Sequence, residues 1–298
     1  MSQEAVLVLN HFLDRDLVDL HAELVNECGA SRDVFLLSDR TQRSLPIVRL
    51  PVQRKEFVFT QKDLRALGFS GKQDLRLSGA GARSLKLGNA ELPVLLFAGA
   101  HPHYDYYWVI EYDVRFSGSW GDFFGACATS EADLLGTSIT RHDDNPDWSH
   151  WPSMKLPGLD VPRAQWLRGF FPVYRLSRKA VSCINGGYQA AAQGHMESLF
   201  PTLVHHAGLI VEDIGGEGEF VPTGNQNRFY TNHRNSNDLS PGTFVYRPVL
   251  RRSGTQPDML WHPVKPDKPK WLTLAERIWS RGFMWLEAKL GIERSGQS

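Results

Sequence analysis

The chain has 298 residues, 42% hydrophobic and 22% charged, a size and composition that sustain one large folded core. Lys plus Arg and Asp plus Glu number 33 each, so no global charge field points to a nucleic acid partner or an acidic tail. Three distant cysteines, Cys28, Cys127 and Cys183, argue against a disulfide framework and show no zinc spacing, and no apolar run approaches the roughly 18 residues that span a bilayer.

Ala5–Leu9 is a short apolar run of the kind that forms a central parallel strand. Asp14 opens an amphipathic segment in which Leu17, Leu20, Leu24 and Val25 fall at helical spacing, with Gly29 at the C-cap. Asp33–Asp39 reads as a second strand, which completes a βαβ unit. No GxGxxG follows the first strand, so the dinucleotide-binding version of the unit is not supported. Thr60–Leu67 reads as a short helix with Thr60 as N-cap and Asp63 three residues on. The Ser/Gly/Arg-rich part around Ser78–Ser84 reads as a loop, and apolar Leu92–Ala98 fits either a strand or a helix.

Tyr106–Arg115 is the stretch around which the chain is organised. Aromatic and β-branched residues run up to Glu111 and Asp113, and Phe116–Gly121 then breaks the strand. Two apart on an extended backbone, the carboxylates point to one side. At the carboxyl end of a strand in an open α/β sheet they stand where such folds bind ligands. A hard divalent cation, Mg²⁺ or Mn²⁺, suits those oxygen ligands; a strand end with solvated acids is the plainer alternative.

Phe123–Ala128 and Ala132–Ile139 are expected to return the chain to the sheet. Arg141–Trp151 is polar, aromatic and aperiodic, the composition of a binding loop or of a surface loop with its Trp side chains tucked into the core. Phe170–Leu176 reads as a strand, and Ser177 as the N-cap of a helix. A further helix begins at Gly194-His195-Met196-Glu197; short strands follow at Gly208–Asp213 and Gly242–Pro248, and Leu260–Lys265 comes after them. Thr273–Leu290 closes the chain as an aromatic, basic, amphipathic helix suited to a partner, to its own core or to an anionic membrane surface.

The early βαβ unit, Trp108–Trp120 with its Glu111-Tyr112-Asp113, the Gly194-His195-Met196-Glu197 segment and Leu260–Lys265 together resemble GT-A type glycosyltransferases, specifically an uncharacterised family of nucleotide-diphospho-sugar-transferase-like proteins. The resemblance spans nearly the whole chain, and Trp108–Trp120 is its specific part. It implies metal-dependent transfer of a sugar from a nucleotide-diphosphate donor. Asp113 would be the direct ligand of Mn²⁺ or Mg²⁺. Glu111, standing where the family has Asp, would be a second ligand or act through water or the donor ribose. His262 would complete the metal site, with His205 and His233 competing for that part, and Lys265 would meet the diphosphate, with Lys268 or Lys270 as alternates. Glu197 is the candidate base for the acceptor hydroxyl, with His195 as a contact or alternate base. Backbone near Asn10–Phe12 would read the nucleotide base, Asp39 would accept from a uracil or guanine ring, and Trp148, His150 and Trp151 would line the acceptor side.

The expected architecture is α/β: a GT-A-like, Rossmann-type mixed, mostly parallel sheet with helices on both faces and a C-terminal aromatic helix. Residues 1–270 would form the nucleotide-sugar-binding catalytic domain, and 271–298 a helix and tail. The expected function is transfer of a sugar to a saccharide or lipid-linked acceptor, without a nucleic acid partner. The protein would be cytoplasmic, with peripheral contact at the inner membrane face open to the last helix. The alternatives are a metal-dependent phosphodiesterase or nucleotidyl transferase using the same carboxylates, and a non-catalytic glycan- or partner-binding protein on the same fold.

Overall fold

The first apolar run is strand β1 (Glu4–Asn10), whose Ala5, Val6, Leu7 and Val8 are all fully buried. In this computed structural model residues 2–11, 15–29, 32–41, 55–72 and 89–265 are described. Helix α1 (Arg15–Glu27) buries Leu17, Leu20 and Leu24, and Gly29 follows it at φ 69°, the left-handed turn that a glycine takes without steric cost. Strand β2 (Arg32–Asp39) pairs in parallel with β1, and β3 (Lys55–Phe59) pairs in parallel with β2. Helix α2 (Gln61–Ala66) begins with a capping box, in which Thr60 and Asp63 satisfy each other's backbone N–H groups.

Leu92–Ala100 is helix α3, started by Pro93 in its first turn and buried through Val94, Leu95, Phe97 and Ala98. Strand β4 (Tyr106–Glu111) pairs in parallel with the free side of β1. The short strand β5 (Arg115–Phe116) leads into helix α4 (Trp120–Cys127), where the sequence suggested a return to the sheet. The helix forms because Ser119 accepts a hydrogen bond from the Asp122 N–H, and because Trp120, Phe123 and Phe124 then stack on one buried side.

Strand β6 (Leu134–Arg141) is followed by the eleven-residue β7 (Leu167–Ser177), which is buried throughout. Ser177 caps helix α5 (Arg178–Gln189) as expected. Helix α6 (Met196–His206), strand β8 (Val211–Asp213) and strand β9 (Leu260–Trp261) complete the described elements. Gly242–Pro248 is not a strand. Phe244 makes a single bridge to His262, and prolines at 241 and 248, which lack an N–H, bound a stretch too short to form a ladder.

The main sheet has the order β3-β2-β1-β4-β7-β6-β8. Strand β7 runs antiparallel to both its neighbours, and the other pairings are parallel. Alternate residues of each strand face opposite sides. Leu7, Tyr107 and Val109 join a core with α3, α5 and α6, whereas Val6, Val8, Trp108 and Ile110 join a second core with α1 and α4. The fold is therefore a Rossmann-like mixed α/β sheet, mostly parallel, with helices on both faces. Each fully buried Leu, Val or Phe side chain contributes about 1.5–3 kcal/mol to these two layers. The expected closing helix, Lys268, Lys270 and the boundary at residue 270 lie outside the described residues. Among the described residues no helix is long and apolar enough to cross a membrane.

Candidate functional site

The carboxyl ends of β1, β2 and β4 open at one end of the sheet, beside antiparallel β7, and border a cleft of about 600 Å³. Strand β4 stops at Glu111; Val114 N–H bonds back to the Glu111 carbonyl, so Asp113 sits in a turn and not on the extended backbone that the sequence suggested. The two carboxylates converge because that turn folds Asp113 back toward the strand end. Strand β5 then pairs with β9, with Phe116 opposite Leu260, and Val264 N–H bonds to the Asp113 carbonyl. This small ribbon carries residues 262–265 to the end of β4, although 149 positions separate Asp113 and His262 in the sequence (262 − 113).

His262 Nε2 lies 3.5 Å from Asp113 Oδ1 and 3.8 Å from Glu111 Oε2, and Lys265 Nζ lies 3.1 Å from Asp113 Oδ2. One ligand atom from each of Glu111, Asp113 and His262 falls within 4.8 Å of the others, the only such group of three among the described residues. Asp113 is 3% exposed, and its Oδ1 is buried without accepting a hydrogen bond of ordinary geometry. Burial pushes its pKa up, but His262 and Lys265 outweigh that and hold it at about 2, so the carboxylate is ionised. Burial works against the Lys265 charge, but Asp113 and then Tyr112 overcome it and raise the pKa. His262 Nδ1 lies 2.8 Å from the Val245 carbonyl. A carbonyl only accepts, so Nδ1 carries a proton; Nε2 faces the carboxylates, donating to Asp113 when the ring is charged and offering a lone pair to a cation when it is neutral. Two carboxylates and an imidazole, with one buried carboxylate oxygen unfilled, fit a divalent cation such as Mn²⁺ or Mg²⁺.

The start of α6 also lines the cleft. His195 is its N-cap, and its Nδ1 accepts the Glu197 N–H at 3.3 Å. That bond fixes the proton of the neutral ring on Nε2. Burial, aided by the positive fields of His150 and Lys72, lowers the His195 pKa to about 3, so the ring is neutral and a weak base. It stacks on His150 at 4.3 Å. Glu197, whose carboxylate Oε2 is 3.7 Å from His195 Nδ1, keeps about a quarter of its side chain open to the cleft (24%) and is otherwise enclosed. Burial, opposed by Arg168 and reinforced by Glu111, raises its pKa to about 8.

Asn10 and Asp39, at the ends of β1 and β2, both line the cleft and are both buried. Asn10 Oδ1 accepts no hydrogen bond, whereas Asp39 Oδ1 takes the Thr41 N–H. Trp148 and His150 border the cleft as expected. Trp151 does not: it is 4% exposed, packs in the core and donates its indole N–H to the Asn145 carbonyl. His205 and His233 are not among the residues that line the cleft, whereas His262 lines it beside Glu111 and Asp113.

Two residues at the site carried no sequence signal. Arg168 lies within the continuous buried run of β7 and lines the cleft. Lys72, 4% exposed, forms an ion pair with Glu91 at 2.8 Å and donates to the Gly194 carbonyl at 2.8 Å, just before the His195 cap. Gly194 is required there: its φ is 142°, and a Cβ would come within 3.0 Å of the Met154 backbone.

Residues 72–132 match the model of a family described as "Protein of unknown function (DUF3405)", a segment that runs from Lys72 through the Glu111–Asp113 turn. No curated protein matches the chain. Among solved structures, it is similar to the 4-diphosphocytidyl-2C-methyl-D-erythritol synthase of Anaerococcus prevotii. The identity is 9% and the TM-score 0.40, over 74% of this chain and 88% of that one.

Proposed function

We propose that this chain is a cation-dependent glycosyltransferase that moves a sugar from a nucleotide-diphosphate donor to a saccharide or lipid-linked acceptor. The observation that carries the reading is the convergence of Glu111, Asp113, His262 and Lys265 in a cleft that Glu197 also lines. Glu111, Asp113 and His262 hold the divalent cation, which when bound neutralises charge on the donor diphosphate. Lys265 adds a positive charge that favours departure of the nucleoside diphosphate. Asn10 and Asp39 take the nucleotide base at the ends of β1 and β2, where ligands of open α/β sheets sit.

In a single displacement, Glu197 in its ionised form, which its pKa of about 8 makes the major one only at mildly alkaline pH, accepts the proton of the acceptor hydroxyl as its oxygen bonds to the donor anomeric carbon. The bond from that carbon to the diphosphate oxygen breaks, and the nucleoside diphosphate leaves with the electron pair. General-base assistance of this kind is worth about 10²–10⁴-fold in rate. His195, neutral and weakly basic, is assigned to contact and positioning: its ring caps the helix that carries Glu197 and stacks on His150. One three-residue cluster among the described residues favours this scheme over a two-metal phosphodiesterase, which needs a larger ligand set.

The test is release of nucleoside diphosphate from a panel of nucleotide sugars, with Mn²⁺, Mg²⁺ or chelator present. Turnover of one donor class that needs the cation and is lost in Asp113→Ala supports the proposal. Cation-independent turnover, or none with any donor, rejects it.

A further inference from the structure

Strand β7 buries two arginines and provides for them differently. Arg175, 1% exposed, donates to the carbonyls of Cys127, Ser130 and Ala132 and faces the rings of Tyr106 and Trp108. Arg168, 5% exposed, donates one hydrogen bond, from Nη2 to the Arg234 carbonyl at 3.3 Å. Its guanidinium lies 5.3 Å from the centre of the Trp148 ring, which holds it in place. Guanidinium has five N–H donors in a rigid fork. One carbonyl leaves most of them for the cleft that Arg168 lines.

Nor does Arg168 have a counter-ion. Among the described residues no carboxylate forms an ion pair with it, and the acid whose field it feels is Glu197. That carboxyl, with its pKa near 8, is mostly protonated at neutral pH and does not cancel the charge. A buried cation without a partner is costly, and a ligand that brings negative charge offsets the cost. Planar, forked donors favour a group with two or three equivalent oxygens.

The location says which part of a substrate brings the charge. Arg168 is two residues from Phe170, whose ring lies 5.2 Å from His262. Alternate residues share one face of a strand, so Arg168 stands about 7 Å along β7 from Phe170. Its neighbours there are Trp148 and Glu197, the aromatic and acidic groups assigned above to the acceptor.

We propose that Arg168 forms an anion subsite, and that the acceptor is an anionic saccharide carrying a carboxylate or a phosphate or sulfate ester. This deepens the transferase reading and rests on it for the word acceptor; the anion subsite itself does not.

The test is titration of the full chain, free of nucleotide and metal, with glucuronate, glucose 6-phosphate and glucose, followed by protein NMR. Both anionic sugars are expected to bind at least 10-fold more tightly than glucose and to shift the Trp148 indole N–H resonance. Arg168→Gln is expected to erase the preference and Arg168→Lys to retain part of it. Equal binding of all three sugars, binding of none, or a preference that survives Arg168→Gln overturns the subsite. Should Arg168→Gln fail to fold, the wild-type titration decides, because anionic sugars that leave the Trp148 resonance unmoved overturn it as well. A parallel titration with nucleoside diphosphate and Mn²⁺ separates the two proposals. Binding of the anionic sugar alone keeps the subsite and removes the transferase reading, and binding of the nucleotide alone does the reverse.

Discussion

Lys72→Met tests whether a buried ion pair holds the part of the cleft lining that carries His195 and Glu197. The Lys72 and Glu91 side chains are 2% and 0% exposed, their charged atoms are 2.8 Å apart, and the Tyr188 hydroxyl donates to the same Glu91 oxygen at 2.7 Å. Removing one member of such a pair leaves a carboxylate in the core with a single neutral donor, a loss of about 3–5 kcal/mol. In a protein of this size that is a fall of roughly 5–15 °C in Tm. The pair as a whole contributes far less than either half, because its attraction largely offsets the desolvation of two charges. Lys72→Met/Glu91→Gln is therefore expected to recover more than half of the lost stability, since the amide oxygen still accepts from Tyr188. The assay is equilibrium urea unfolding of the wild type, both single variants and the double variant. Additive losses in the double variant, or less than about 1 kcal/mol in Lys72→Met, would refute the reasoning. Because Lys72 also holds the Gly194 carbonyl, the double variant is expected to stay impaired in turnover after its stability returns.

Glu197→Gln is expected to cut kcat by about 10²–10⁴-fold while leaving nucleotide affinity intact, measured by steady-state kinetics and direct binding. The same variant has a stability signature with a fixed sign. The folded pKa of Glu197 is raised to about 8 from an ordinary value of 4.5, so the native state favours the protonated form; that advantage is complete below about pH 4.5 and is lost as pH rises through 8. Relative to wild type, Glu197→Gln should unfold at nearly the same temperature at pH 4 and at a higher temperature at pH 9; a change of the opposite sign contradicts the assignment. Tyr230→Phe removes the hydroxyl that donates to the Asp213 carboxylate, which also accepts from the N–H groups of Gly215, Gly216 and Ile139, and is expected to cost about 1–3 kcal/mol in urea unfolding.

Much of the fold was legible where sequence pattern and burial agree. The apolar run of β1, the Leu17, Leu20 and Leu24 spacing of α1, the Thr60 N-cap and the Ser177 cap all form as read. Local pattern was misleading where tertiary partners decide. Phe123 and Phe124 suit a strand by composition, but Ser119 starts a helix ahead of them. Phe244 and Val245 suit a strand as well, yet they find only one bridge between flanking prolines.

The site divides in the same way. Glu111 and Asp113 announced themselves as acids at the end of an apolar run, although the turn that converges them was invisible. His262 and Lys265 were named through a family resemblance, and the β5–β9 ribbon is the physical reason they reach Asp113. Asn10, Asp39, His195 and Glu197 border the same cleft. Arg168 and Lys72 left no trace, because a buried charge breaks hydrophobic periodicity without revealing what it faces. Trp151 shows the reverse: an aromatic residue in a polar loop turned out to be core.

The central claim is that Glu111, Asp113 and His262 hold a divalent cation that a nucleoside diphosphate shares. Electron paramagnetic resonance of Mn²⁺ tests it directly, since the six-line signal of the free ion fades as the ion binds. With wild-type protein in excess, the signal is expected to fall, and to fall further when the matching nucleoside diphosphate is added; with Asp113→Ala it should stay near that of a protein-free control containing the same nucleotide. A wild-type signal that matches that control, whichever nucleoside diphosphate is added, would contradict the account and leave the carboxylates as the polar end of a strand.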